Sequence, residues 1–194
     1  MNKYEIRTQK KKDAVIQAAL ELFKENGYTN VGINDIASKS GVSSVSIYNY
    51  FDSKNGLVMA CTRKLMSKST EEINQLLHEN ADFKEKLLRA VTLCENEPFK
   101  LVKEYFSPEA LSDKTFMKLF WESTNEIRMD VLRVFIESGK QDESIDPSIS
   151  TDTIMDFLGA VARVQSEWKT TTQLEKSSEL YKLMLYGLIG RKES

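Results

Sequence analysis

A chain of 194 residues, 41% hydrophobic and 29% charged with a formal net charge of −2, has room for a small head and one larger domain with a sizeable core. It contains no run of about eighteen apolar residues, so no spanning helix is expected, and the polar start MNKYEIRTQKKK lacks the apolar segment of a secretory signal. Cys61 and Cys94 each stand alone in an apolar helical pattern, which predicts two buried free thiols in a cytoplasmic protein, with redox sensing by the pair as the alternative.

The first element carries I-x-A-A-x-x-L-F-x-x-x-G-Y: Ile16, Ala18, Ala19, Leu22 and Phe23 make one apolar helical face, and Gly27 ends it ahead of Tyr28. Next, Ile33, Ile36 and Ala37 recur with a 3.6-residue period, predicting a short helix over 33–40. Gly41 supplies the left-handed residue past its end, Val42 plugs the turn, and the Ser43 hydroxyl caps a further helix. That helix buries Ile47 and Phe51 and leaves Ser44, Val45, Ser46, Tyr48 and Asn49 free, all short or planar enough to approach a duplex closely. Two short helices meeting at a sharp turn describe a helix-turn-helix, which reads DNA. A glycine cap alone would suit any small helical hairpin; the length of the run Ile33 to Lys54 carries the reading.

Beyond it, Tyr48, Phe51, Ser53, Lys54 and Leu57 spell Y-x-x-F-x-S-K-x-x-L, with Lys54 opening the next helix, where its ammonium and the free backbone N–H groups can act on one phosphate together. The pattern is then helical almost throughout, predicting helices over 55–78 (with Gly56 a weak spot in the first turn), 84–96, 99–106, 114–139, 150–169 and 174–190, with Pro98, Pro108 and Pro147 at the breaks. In the helix over 114–139, Phe116, Phe120, Ile127, Val131 and Phe135 share one face and Met117, Trp121, Leu132 and Ile136 an adjoining one, a stripe wide enough for a central helix. The fold class is all-α: a three-helix head and a helical bundle, about nine helices in total, with domains over 1–54 and 55–194.

Taken together, the motifs over Val15 to Leu57 resemble the DNA-binding head of the TetR family of one-component bacterial transcription regulators. The resemblance implies a homodimer on a pseudo-palindromic double-stranded DNA operator. It assigns Tyr48 and Lys54 to phosphates and Ser44, Val45, Ser46 and Asn49 to base edges, with Tyr50 open to either and grouped with the phosphate contacts. The chain also departs from the family pattern. Val31 and Gly32 stand where many members have a threonine pair, and Val45 stands where many have glycine, so the hydroxyl cap is missing and the approach to DNA is altered. Chemistry adds that Asn49 can pair with adenine and Val45 can pack on a thymine methyl. No Arg or Lys lies between Val42 and Phe51, which favours half-sites with an A·T core.

Charge follows the same polarity. Residues 1–60 hold eight basic and six acidic side chains, a net of +2, and the remainder nets −4. Lys10, Lys11 and Lys12, with Arg7 and Lys3, form a basic N-terminal arm with two readings: contact with neighbouring phosphates or the minor groove, or a solvated terminus.

The last two helices offer Gly159, Ala162, Leu180, Met184, Gly187 and Leu188 as small and apolar surfaces for a dimer, with intramolecular core as the alternative. The resemblance further implies a pocket in the bundle for an unknown small apolar or amphipathic effector. Phe106, Met117, Phe120, Trp121 and Phe157 are candidate lining residues and Asn125, Arg128, Arg163 and Gln165 candidate polar ones, each also readable as plain core. His78 stands alone near a helix end and reads as a surface residue; no metal set, phosphate loop or G-x-S-x-G elbow occurs, so no cofactor, no metal and no catalytic residue is expected. The expected function is a ligand-responsive repressor; the alternatives are a DNA-binding regulator answering to a protein partner and, remotely, a bundle enzyme with an accessory head.

Overall fold

The computed structural model describes residues 2–166 together with Leu183 and Gly187. Among the described residues the helices are α1 (Lys3–Asn26), α2 (Ile33–Ser40), α3 (Ser44–Phe51), α4 (Lys54–Leu65), α5 (Ser67–Leu76), α6 (Phe83–Glu104), α7 (Pro108–Ser112), α8 (Lys114–Gln141) and α9 (Thr151–Ser166), with no strand. The chain divides into two compact units: Met1–Glu71 with Cys94–Ile127, and Glu72–Leu93 with the chain from Arg128 onward.

In the first unit, the apolar face of α1 buries Val15, Ala19 and Phe23 in one core with Ile36 of α2, Ile47 of α3 and Leu57 of α4. This core continues through Phe106, Phe116 and Phe120, where the Phe106 ring meets the other two edge-to-face at 5.1 and 5.3 Å between centroids. Phe23 reaches the Phe116 ring at 6.1 Å, so the head and the start of α8 share one apolar cluster. In the second unit, Phe83, Leu87, Val131, Leu132, Phe135, Ile136, Ile145, Ile154 and Leu158 are buried.

Several elements differ from the expectation. The basic N-terminus is not an arm but the first turns of α1: Asn2 caps it, accepting from Glu5 N–H at 2.9 Å, while the Glu5 carboxylate accepts from Asn2 N–H at 2.9 Å. The helix expected over 55–78 is two, α4 and α5, broken at buried Met66. Around the break, hydroxyls of Thr62, Ser67 and Thr70 bond back to the carbonyls of Val58, Lys64 and Met66, competing with the helical ladder. The two helices expected on either side of Pro98 are one, α6, with Pro98 buried inside it. A helix-interior proline costs about 3 kcal/mol, a local penalty that does not end α6 at this buried position. Gly56 is no mere weak spot: a Cβ there would lie 2.1 Å from the Phe51 carbonyl oxygen. The helix expected over 174–190 lies outside the described residues, apart from Leu183 and Gly187, which are helical and exposed.

Candidate nucleic-acid interface

The recognition helix is set by local chemistry at both ends. Gly41 takes the left-handed conformation at φ +69° and ψ 19°, ending α2 with its N–H on the Ala37 carbonyl. Gly32 caps the start of α2, its N–H donating to Asp35 Oδ2 at 2.7 Å in place of the missing hydroxyl cap. Ser43 caps α3, its Oγ accepting from Ser46 N–H at 3.2 Å. Buried Val42 and Ile47 anchor the inner side.

The outer side of α3 is open. Val45 is 70% and Tyr48 51% exposed, and Asn49 is also exposed. Ser44 and Ser46 are less open: Ser44 Oγ donates to Asn34 Oδ1 on α2 at 2.8 Å, and Ser46 Oγ lies 2.9 Å from Ser43 Oγ. The Ser44 hydroxyl therefore has its proton engaged while its lone pairs can still accept. Helical periodicity gives no sign of Asn34, because its contact spans two helices.

At the end of α3, Asp52 adopts φ +64° and ψ −44°, and Ser53 N–H donates to the Phe51 carbonyl at 2.7 Å, which makes a tight γ-turn. Ser53 then caps α4 through Gly56 N–H at 3.0 Å, and Lys54 follows. The Lys54 ammonium donates to the Tyr28 carbonyl at 2.5 Å and lies 3.7 Å from the centre of its ring. Partial burial pushes its pKa down, against the opposing pull of Asp113 and Asp35. One ammonium proton is used here and two remain.

Along α1, Lys3, Arg7 and Lys11 fall at four-residue intervals and, with Tyr4, Thr8 and Tyr50 of α3, line a surface groove of about 420 Å³. Lys10 is exposed beside them, and the half-buried Lys12 holds its ammonium 5.8 Å from the Tyr50 ring. A basic strip thus runs along α1 to the end of the recognition helix.

Of the candidate effector residues, Phe106, Met117, Phe120, Trp121 and Asn125 belong to the first unit and Arg128, Phe157, Arg163 and Gln165 to the second. Phe106 and Phe120 are buried in the aromatic core, with half-buried Met117 packed on it. Trp121 is 36% exposed and packs on exposed Phe99 with 5.1 Å between ring centres. Asn125 is exposed, Arg128 half-buried and Phe157 47% exposed. Arg163 and Gln165 lie on α9, but their side chains fall outside what is described, as does that of Ala162. Of the dimer candidates, Gly159 is half-buried on α9 and Gly187 exposed, while Leu180, Met184 and Leu188 lie outside the described residues. A second groove, of about 590 Å³, opens between α5 and α6, lined by Glu72, Gln75, Leu76, Leu88 and the paired Glu79 and Arg89.

These features define an all-α helix-turn-helix protein with an exposed, uncharged recognition helix. The chain matches the bacterial regulatory proteins of the tetR family over residues 15–61. It is 35% identical over 77 residues to the uncharacterized HTH-type transcriptional regulator YvdT of Bacillus subtilis (strain 168), a match covering 40% of each chain. It is 32% identical over 78 residues to the fatty acid metabolism regulator protein of the same organism, again covering 40% of each. The matches to these relatives thus span about two fifths of their length. In fold, the chain resembles Thermus thermophilus FadR, a TetR-family transcriptional repressor solved in complex with lauroyl-CoA, with a TM-score of 0.62 at 18% identity over 94% of this chain and 97% of that one. No helix among the described residues is long and apolar enough to cross a membrane.

Proposed function

We propose that this protein is a ligand-responsive repressor that acts in the bacterial cytoplasm, binds a pseudo-palindromic operator as a homodimer, and is released by a small apolar or amphipathic effector. The observation that carries the reading is the exposed, uncharged outer side of α3 on a capped helix-turn-helix. Ser44, Val45, Ser46 and Asn49 face base edges, and Tyr48, Tyr50, Lys54, Lys10, Lys11 and Lys12 hold phosphates. With no cation on α3, affinity comes from the flanking phosphate contacts and from doubling through the dimer, while the half-sites lean to A·T. The dimer forms through α9 and the segment 174–190, which places two recognition helices about one DNA turn, ~34 Å, apart.

The names of the relatives point to the effector class. A fatty acid metabolism regulator and a repressor crystallised with lauroyl-CoA make a long-chain acyl-CoA the first amphipathic probe. Such a molecule releases DNA by favouring a head spacing that no longer fits the operator, and by linkage the operator weakens its binding to the same degree.

Selection of duplexes from a random pool, followed by fluorescence anisotropy with and without lauroyl-CoA, tests this reading. The expected result is an enriched palindrome with A·T-leaning half-sites, bound by two protomers and released by the acyl-CoA. Failure to enrich any duplex overturns the DNA-binding reading; a G·C core overturns the A·T assignment; sedimentation as a monomer at micromolar concentration overturns the dimer. Retention of the operator at saturating lauroyl-CoA rejects this effector class.

A further inference from the structure

Tyr28 is gripped through both of its backbone groups. Its N–H donates to Asp113 Oδ2 at 2.8 Å, and the next N–H, that of Thr29, donates to the same oxygen at 2.6 Å. Its carbonyl accepts from Lys54, and its hydroxyl donates to Asn55 Oδ1 at 2.7 Å. The other oxygen of Asp113, Oδ1, accepts from Phe116 N–H at 3.0 Å in the first turn of α8. Nothing separates the two segments, since a Cβ on Gly27 would stand 2.9 Å from Asp113 Cβ. Ser107 adds a second tie, its Oγ donating to the Glu25 carbonyl at 2.7 Å and its N–H to that of Lys24 at 3.0 Å.

Capping α8 requires only one carboxylate oxygen. The second oxygen collects two N–H groups from a turn more than eighty residues away in sequence, a use that capping does not explain. Burial pushes the Asp113 carboxyl up, but the N–H bonds from Thr29, Phe116 and Tyr28 outweigh it and hold the group below its ordinary value. Through Tyr28 the carboxylate reaches Lys54 and Asn55, the residues that directly follow the α3–α4 corner.

We propose that Asp113 is a positioning residue for DNA recognition: one oxygen caps α8 while the other fixes the Tyr28–Thr29 turn, and with it the α3–α4 corner that aims the recognition helix. This rests on the DNA-binding reading above. Base readout needs hydrogen-bond geometry, whereas non-specific binding needs only charge, so a displaced α3 loses the first and keeps the second.

The test is Asp113→Asn. Asparagine still caps α8 through its oxygen, but its NH₂ meets the Tyr28 and Thr29 N–H groups donor against donor. The change also removes a negative charge, which by electrostatics alone would tighten binding to any DNA. The expected result is a loss of about tenfold or more on the duplex enriched by the wild-type chain, comparable to one mismatched base pair, with binding to a scrambled duplex unchanged or tighter. Hydrogen exchange is expected to quicken across 44–55 in the variant. Unchanged operator affinity, an equal loss on both duplexes, or an exchange change confined to 28–29 overturns the proposal. Asp113→Ser, which keeps a capping oxygen without the opposing donor, gives the same measurements should the asparagine variant fail to fold. If the wild type enriches no duplex, the DNA-binding reading fails, and exchange alone still decides whether Asp113 holds the α3–α4 corner.

Discussion

The Lys54 ammonium rests on the Tyr28 ring, 3.7 Å from its centre, while donating to the carbonyl of the same residue. A lysine that reads in sequence as a phosphate ligand is also a clasp between the start of α4 and the turn after α1. Lys54→Met keeps an apolar chain on the ring but removes the cation and the hydrogen bond. The expected fall in unfolding free energy is about 1–2 kcal/mol, read from the urea midpoint in the absence of DNA. A lysine serving DNA alone would leave that midpoint unmoved.

The basic strip on α1 makes a separate prediction. Replacing Lys3, Arg7 and Lys11 together by glutamine removes three cations that line the α1 groove, each a candidate phosphate partner. The slope of log affinity against log salt is expected to become shallower by about 0.9 for each phosphate no longer neutralised. The selected sequence stays the same, since these residues flank the recognition helix. An unchanged slope would mean that the strip faces solvent.

On the recognition helix, Asn49 is exposed and next to exposed Tyr48. Asn49→Ala is expected to cost about 1–3 kcal/mol on the selected duplex and to relax the preference for adenine at one position per half-site. Repeating the selection with the variant checks this: a consensus identical to the wild type assigns Asn49 no base.

Asp113 carries a pH signature. Its folded-state pKa is lowered relative to the roughly 3.9 of a free aspartate, so between the two values the unfolded chain binds more protons. The stability it contributes is therefore present above about pH 4 and lost as pH falls through the folded value. The gap between the urea midpoints of wild type and Asp113→Asn is expected to hold its full size at about pH 6 and to close in acid. A gap that stays constant down to about pH 2 would show that the carboxylate charge plays no part.

Gly27 sits at φ +72° against Asp113. Gly27→Ala both strains the backbone and drives a Cβ into the Asp113 side chain. A loss of about 1–3 kcal/mol is expected by thermal denaturation, larger than for a glycine that only ends a helix. A melting temperature indistinguishable from that of the wild type would contradict the close approach.

Much of the head is legible in the sequence because its signals are local. The Ile36 and Ile47 faces, the Gly41 left-handed cap and the Ser43 hydroxyl cap all depend on residues within one or two turns, and each lies where its spacing implies. The effector candidates are not separable from core in the same way. Phe106 and Phe120 have the composition of a pocket lining, yet they pack edge-to-face on each other, and Phe106 also on Phe116. Composition does not say whether an aromatic meets a ligand or another ring. Pro98 does not break its helix for a related reason, since tertiary burial overrides a local propensity.

Sequence by itself determined the all-α class, the helix-turn-helix and its uncharged outer face, because periodicity, caps and turn glycines are short-range properties of the chain. Only the tertiary structure decided that the basic N-terminus is the first turns of α1 running beside Tyr50, that Lys54 clasps Tyr28, and that Asp113 joins the α1–α2 turn to α8. As the cap of α8, Asp113 uses only one of its oxygens. What the second oxygen does depends on a turn more than eighty residues distant along the chain, and no local pattern encodes that approach.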